Sequence, residues 1–446
     1  MNIKEKLLFL NPNAAGIDIG SFSHFVAVPE GRDKESVKEF KSFTSDLKNL
    51  AKWLKKCKID TVAMESTGVY WIPLYELLEV KGFKVFLVNA RHIKNVPGRK
   101  TDILDCQWIQ QLHSYGLLQA AFRPNKEIAK LRSYIRQRSV LIEDSASYIQ
   151  RMQKALSQMN IQLHNVISDL TGFTGLAIIR DIVAGERNVV KLSKHRDCRC
   201  KNSEEIIYKS LEGNYQEEHI FALKQALELY DIYREKIEDC NHQIEKLVKS
   251  MEGEVSEEIS SIKNKERGKN VFSFDARKEI IRITGVDITK IPGINSQTAL
   301  LILSEIGTDM SKWKSAKQFV SWLGLCPGNK ISGGKRISGK SKPSANRAAK
   351  ALRMAAYTLS RNSSFLGAFS RRMKTRLGAP KAITATAHKL ALILYTMLKE
   401  KKPYKEMGEQ YYEKKYKERM IKNLKKRAKN LGLKIVENEE LCENTT

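Results

Sequence analysis

Two runs of heptad-spaced apolar residues constrain this chain more than any other feature. A strict seven-residue repeat is satisfied by long helices with one continuous buried seam, and by little else. In the first run Ile128, Ile135, Ile142, Ile149, Leu156 and Leu163 recur every seven residues, with Leu131, Met152 and Met159 in the companion seam. In the second, Leu223, Tyr230, Ile237, Ile244 and Met251 repeat, with Ala226, Tyr233, Cys240 and Leu247 beside them. Lys130, Arg132, Arg136, Arg151 and Lys154 fill much of the remaining surface of the first run. The spacing predicts coiled-coil arms, either folded on each other or paired between subunits. A helical bundle with a buried stripe meets the same pattern.

The N-terminal third has a different rhythm. Ala15-Gly-Ile-Asp-Ile-Gly20 and His24-Phe-Val-Ala-Val28 read as two strands joined by a tight Gly-Ser turn. Leu47 to Cys57 is helical in pattern, Asp60-Thr-Val-Ala-Met-Glu65 is a strand, and Pro73 opens a helix that ends near Gly82. Lys84-Val-Phe-Leu-Val-Asn89 is a buried strand, followed by Gly98-Arg-Lys-Thr-Asp-Ile-Leu-Asp105. There Thr101 is a helix N-cap, and Asp102 and Asp105 fall three apart on one helical face near its positive end. The alternation predicts an α/β unit with a mixed sheet.

Ser168 to Asn214 shows no decisive local pattern, and Ser256 to Lys278 is a polar connector. Ile291-Pro-Gly-Ile-Asn295 and the apolar run to Gly307 predict a helix-hairpin-helix-like element, whose backbone N–H groups could face a phosphate. Asn295 stands where such hairpins often carry a second glycine, and a plain packed hairpin fits equally. Pro327-Gly-Asn-Lys-Ile-Ser-Gly-Gly-Lys-Arg-Ile-Ser-Gly-Lys-Ser341 predicts a phosphate-approaching loop before a helix that starts near Asn346. The expected fold is therefore multidomain, α/β followed by α. Residues 1–125 form the α/β domain, 126–270 the helical region, 271–400 a mainly helical C-terminal domain, and 401–446 a basic helical tail.

Charge narrows the partner. The chain carries a formal net charge of +28, and not one acidic residue lies between Asp309 and Glu400. Solvated faces mix signs, so this one-sided stretch predicts a phosphate-contacting surface, with Lys330, Lys335, Arg336, Lys340, Arg347 and Arg353 as candidates. No segment reads as a membrane span or a secretory leader, so cytoplasmic residence at the nucleoid is expected. His195, Cys198 and Cys200 are the one Cys/His cluster, and three ligands among arginines and lysines make a poor zinc site.

Asp18 lies inside an apolar strand pattern and Glu65 ends another. A carboxylate there is costly to bury unless a cation or donor meets it. With Asp102 and Asp105 they make four acids suited to Mg2+ or Mn2+ and to chemistry at a phosphodiester.

The order Gly-Ile-Asp18, Met-Glu65-Ser-Thr-Gly and Lys-Thr-Asp102-x-x-Asp105 resembles the RuvC-like, RNase H-fold nuclease domain of DEDD transposases, the insertion-sequence one-ten family. Leu170-Thr-Gly-Phe-Thr-Gly175, the Pro-Gly-Ile hairpin, the Ser-Gly-Gly loop and the following Ala-Leu-Arg353 agree, so the resemblance spans roughly residues 14 to 410. It implies an RNase H-like domain and a C-terminal transposase domain whose serine maps to Ser332, with Ser338, Ser341 and Ser344 nearby. It further implies double-stranded DNA at element ends and target, a structured noncoding guide RNA, and homo-oligomers from dimer to tetramer. Lys342-Pro-Ser-Ala-Asn346 departs from the basic-Gly-Asn turn of many relatives. Two other activity classes fit the residues: a metal-dependent nuclease or junction resolvase in which the Ser332 loop only grips phosphate, and a nucleic-acid-binding protein with vestigial acids.

Overall fold

The computed structural model describes residues 9–66, 68–89, 101–254, 266, 268–341, 344, 346–433 and 435. Gly98, Arg99, Lys100, Thr67, Lys342, Pro343 and Ala345 of the motifs above, and the side chain of Lys330, lie outside them. The chain divides into two compact units, Met1–Arg123 and Pro124–Thr446. The helical, C-terminal and tail segments expected after residue 125 all fall in the second.

The first unit is built on a five-stranded mixed sheet of order β3-β2-β1-β4-β5. β1 (Ala14–Ile19) and β2 (Ser23–Ala27) form the expected antiparallel hairpin, closed by Gly20 N–H to the Ser23 carbonyl at 3.0 Å. β3 (Val37–Lys41) extends it antiparallel, while β4 (Thr61–Glu65) and β5 (Lys84–Val88) add on parallel. β3 has no sequence signature. Val-Lys-Glu-Phe-Lys is mostly charged, and it is a strand because the edge of β2 offers a ladder and a sheet edge tolerates charge.

Strand alternation divides the residues between two faces. Ile17, Val62 and Met64 point toward α1 (Thr44–Lys56) and α2 (Trp71–Val80), packing with Leu50, Leu54, Leu74 and Leu78. α2 starts two residues before the expected Pro73, which sits in the first turn, where no intrahelical N–H bond is lost. On the opposite face Ala63 and Val88 pack with Ile109 of α3 (Asp102–Ser114) and with Leu118. This arrangement is consistent with a RuvC-like domain.

In the second unit the two heptad segments are α4 (Lys126–Gln158) and α5 (Glu217–Ser250). They run antiparallel within one chain. Arg138 meets Asn241, Tyr148 meets Tyr233, and Met152 and Leu156 share a core with Leu223, Ala226 and Tyr230. The two helices therefore pack on each other within the chain, which a coiled-coil pair and a helical bundle with a buried stripe both allow. The seam carries one cation that apolar counting passes over. Arg138 is buried, donates to Asn241 Oδ1 and to the Asn270 carbonyl at 2.7 Å each, and lies over the Phe272 ring. Burial lowers its pKa to about 10, which leaves it charged at neutral pH. A polar layer of this kind holds the register of an apolar seam.

Ile237 and Ile244 are 2% and 0% exposed inside this intrachain seam. Replacing both with Lys buries two unpaired ammonium groups, and we expect the melting temperature to fall by about 10 °C or more. A melt that is unchanged while light scattering shows a smaller assembly would instead place these residues at a subunit interface.

α4 is also clamped to the C-terminal part of the unit, which opens with α6 (Ala276–Thr284) and α7 (Ser296–Ile306). Arg136 makes a bidentate pair with buried Glu305 of α7, at 2.8 and 2.9 Å, and Arg132 donates to the Ser304 and Glu305 carbonyls. Two arginines that read as solvated surface thus cap and neutralise the end of a neighbouring helix. In the turn before α7, Gly293 has φ +84°, and a Cβ there would approach the Ala355 carbonyl oxygen to 2.9 Å. The Ile294 N–H bonds to the Ile291 carbonyl at 3.0 Å. This turn is packed against α8 (Arg347–Thr358), which gives its glycine a packing role. α9 (Phe365–Leu377), α10 (Ala379–Glu400) and α11 (Gly408–Asn430) complete the unit. No helix among the described residues is long and apolar enough to cross a membrane.

Candidate active site

The first unit arranges its four acids by a close helix–strand contact and by strand register. Ala14, Gly16 and Asp18 share one face of β1, the face covered by α3. At Gly16 a Cβ would collide with the backbone nitrogen of Gln110 and the carbonyl oxygen of Cys106. The glycine therefore lets α3 lie directly on the strand, and Gln110 Nε2 donates to the Ala14 carbonyl one step away. Two residues further along β1 is Asp18, and one turn back along α3 are Asp102 and Asp105. Thr101 caps that end as expected, its hydroxyl accepting the Leu104 N–H at 3.4 Å. The fourth acid arrives through the sheet. The parallel register pairs Ile17 with Met64, so Asp18 and Glu65 occupy neighbouring positions of adjacent strands on the same face.

The electrostatics record this convergence. Burial, and then the charges of Asp102, Asp105 and Glu65, raise the Asp18 carboxyl from an ordinary value to about 6. Burial and the nearby Asp18 charge push the Cys106 thiol up to about 12, which removes it as a nucleophile. Among the described residues no group of three or more His, Cys, Asp or Glu side chains is drawn together closely enough to grip an ion as it stands. The donor set is all oxygen and fits a hard divalent cation such as Mg2+ or Mn2+.

A proton balance checks that fit. With a folded-state value near 6 against about 4 for a free carboxyl, Asp18 costs no stability below pH 4. The cost grows between pH 4 and 6 and is fully present above, because there the folded protein has lost a proton it holds tightly. Without divalent ions, Asp18→Asn is expected to raise the melting temperature at pH 8 and leave it unchanged at pH 4. Calorimetry in buffers of different ionisation heat should show Mg2+ or Mn2+ releasing a proton from the wild type near pH 5.5 and none at pH 8. Release that does not change with pH would put Asp18 outside the ion's reach.

Gly16→Ala tests the packing device. The added methyl meets backbone, so α3 must move away, with a stability loss of about 1–3 kcal/mol. Mg2+ affinity, read by calorimetry, should fall with it. Unchanged affinity would mean that the helix start is positioned by other contacts.

The second unit holds the other candidates. The expected glycine-rich loop is an exposed β-hairpin, β6 (Lys330–Ser332) with β7 (Lys335–Ser338). Gly333 and Gly334 have φ +54° and +74°, so Ser-Gly-Gly-Lys closes a two-residue turn that requires positive φ at both central positions. Local rules read the glycines as loop, and the ladder between the flanking residues is what makes them a turn. Ser332 is exposed at the tip, paired with Lys335, and its hydroxyl makes no hydrogen bond to another described residue. Ile331 pairs with Arg336, and the Arg336 guanidinium lies against Gly339. Lys340 is exposed two residues beyond β7, and its carbonyl accepts the Gly328 N–H. Ser338 accepts from the Lys340 N–H and Ser344 from the Asn346 N–H, while Ser341 bridges to Pro327. Arg347 is exposed at the first position of α8, and Arg353 donates to the Gly324 carbonyl at 3.4 Å, which makes it partly structural. His388 lies within hydrogen-bonding distance of the Leu325 carbonyl, below the hairpin.

The Cys/His cluster is dispersed into local contacts. His195 Nε2 meets Asp181 at 2.6 Å and Cys200 meets the Thr174 hydroxyl.

Two family models match the chain. Residues 15–161 match a model of transposases of the IS110 DEDD type. Residues 287–370 match the model described as the transposase IS116/IS110/IS902 family. Together they cover about half of the sequence, and the first contains all four acids and the second contains Ser332. No curated protein matches the chain.

Proposed function

We propose, from the premise that this chain belongs to the IS110 family of transposases and is a DNA transposase, that it works through two sets of residues. Asp18, Glu65, Asp102 and Asp105 hold Mg2+ or Mn2+, and Ser332 attacks DNA. The observation that carries the first half is the Asp18 carboxyl, raised to about 6 by burial and then by the charges of Asp102, Asp105 and Glu65. A divalent cation bound there supplies charge at phosphodiester oxygens during strand cleavage. The protein's part is to orient that charge through the rigid β1, β4 and α3 framework and to hold the phosphates with Lys330, Lys335, Arg336, Lys340, Arg347 and Arg353. Ser332 Oγ forms the bond to phosphorus as the bond to the 3′ oxygen breaks, the serine proton ending on the released 3′ oxygen, and the phosphodiester energy is conserved for rejoining.

The partners proposed are double-stranded element ends and target DNA, a structured noncoding RNA that guides their pairing, and further copies of this chain from dimer to tetramer. The place of action is the nucleoid. The test is an excision assay with purified protein, Mg2+, element DNA and RNA transcribed from the flanking noncoding stretch. RNA-dependent rejoined products support the reading. Rejoining that proceeds equally without RNA removes the guide.

One observation favours a second reading. Ser332 sits on an exposed tip with no hydrogen-bonded base among the described residues, which suits a metal-dependent nuclease or resolvase whose hairpin only grips phosphate. Nicked products that are never rejoined would select it.

A further inference from the structure

The C-terminal helix carries a pattern that the catalytic reading leaves unused. Tyr411, Tyr412 and Tyr416 are interleaved with Lys414, Lys415, Lys417 and Arg419. One tyrosine explains how α11 is held. Tyr412 is buried, with the Phe365 and Phe369 rings of α9 edge-on to it at 5.1 and 6.3 Å, and Arg371 pairs with Glu409 beside it. Tyr411 also touches the Phe365 ring, at 6.4 Å between centroids, and both Tyr411 and Tyr416 line open grooves beside the anchor.

The larger groove, of about 440 Å³, runs between α9 and α11 and is lined by Arg372, Arg376, Tyr416 and Glu413 among others. Arg372 stacks its guanidinium on the Tyr416 ring. Arg376 is exposed and has the Met373 sulfur as its hydrogen-bond partner, at 3.6 Å. The smaller groove, of about 300 Å³, is lined by Phe365, Tyr411, Lys415, Glu418, Arg419 and Lys422. The Lys415–Glu418 pair accounts for one acid there. α9 itself carries no acid. Each groove therefore combines an aromatic ring, Tyr411 exposed and Tyr416 half-buried under Arg372, with cations in excess over carboxylates.

We propose that the α9–α11 grooves bind an unpaired nucleic-acid strand. Arg372, Arg376, Lys415 and Lys422 hold its phosphates, and bases stack on Tyr411 and on the Tyr416–Arg372 platform. Phosphate binding alone needs only cations. Exposed rings set among them add a stacking surface, and a base offers its face for stacking only when it is unpaired. Its residues are other than the four acids and the Ser332 hairpin, and it stands whether or not the transposase is RNA-guided.

The experiment measures fluorescence anisotropy of full-length protein with labelled oligo(dT), oligo(U) and a duplex, each about twelve nucleotides long. Tyr416→Ala should weaken single-strand binding roughly tenfold and duplex binding less than about twofold, with Tyr416→Phe close to wild type. Arg372→Ala with Arg376→Ala should lower the salt slope by about one to two units for single strands. A preference for oligo(U) or oligo(dT) identifies RNA or DNA as the source of the strand. Unchanged single-strand affinity in Tyr416→Ala, or equal losses for duplex and single strand, overturns the proposal. Should that variant lose helicity, ultraviolet cross-linking of iodo-substituted strands to the wild type decides. Adducts within residues 365–377 or 408–430 support the site, and adducts confined elsewhere, or a groove occupied by an acidic protein segment instead, overturn it.

Discussion

Asp102→Asn is expected to abolish strand cleavage, by on the order of a thousandfold or more, while binding to element DNA stays within about twofold. The substitution is nearly isosteric and keeps a side chain that helix α3 tolerates in its first turn, so the fold is not at risk. It removes one of the negative charges whose field raises the Asp18 carboxyl, together with an oxygen donor of full charge. Two effects should therefore appear together. Mg2+ affinity falls, and the proton release on Mg2+ binding shifts to lower pH as Asp18 relaxes toward an ordinary carboxylate. On the proposed reading, affinity for DNA rests on lysines and arginines in other segments and is spared. Cleavage within tenfold of wild type in Asp102→Asn would remove this residue from the site and leave the field around Asp18 as a purely structural feature.

Ser332→Ala should lose recombination and any covalent protein–DNA adduct while retaining DNA binding. The residue is exposed at the tip of a two-residue turn, so the change leaves no buried gap and is expected to alter the melting temperature by less than about 1 °C. A serine hydroxyl is a weak nucleophile near neutral pH unless its proton has somewhere to go. Lys335, its ladder partner, is a cation held opposite it by the backbone register, and it can stabilise charge at the hydroxyl or at the attacked phosphate. Lys335→Ala should then slow adduct formation more than it weakens binding. The measurement is a denaturing gel of protein incubated with nicked substrate and Mg2+. An adduct that persists in Ser332→Ala transfers the role to Ser338, Ser341 or Ser344, and a wild type that forms none under any condition selects the nuclease reading.

Much of the first unit was legible because its signals are local. Gly-Ser between two apolar runs specifies a hairpin, Thr101 before Asp102 specifies a helix start, and both appear where the residues place them. β3 was not legible, since its residues favour a strand only once β2 presents an unpaired edge. Gly16 was visible as one letter of Gly-Ile-Asp, yet its purpose depends on Gln110 and Cys106, which lie far along the chain. The same holds for Arg132 and Arg136, which looked like solvated surface and are fixed on Glu305. Tyr411 and Tyr416 carried a signal that local reading could have used, aromatic rings set among lysines, and only the packing of Tyr412 separated anchor from groove.

By itself the sequence determined the elements, the long antiparallel-capable helices, the basic character and the identity of the four acids. Each of these follows from side-chain periodicity, charge or a short-range backbone preference, and none needs a distant partner. Tertiary structure decided which faces meet. It put Asp18 and Glu65 on the same side of the sheet through strand register, brought the start of α3 over them through the missing side chain of Gly16, and turned the Ser-Gly-Gly segment from a loop into a hairpin tip. It also folded the two heptad arms onto each other with Arg138 held in their seam. The physical reason is the same throughout. Short-range preferences act over a few residues and can be read in order, whereas close packing and shared electric fields join residues far apart in the chain and exist only once the chain has folded.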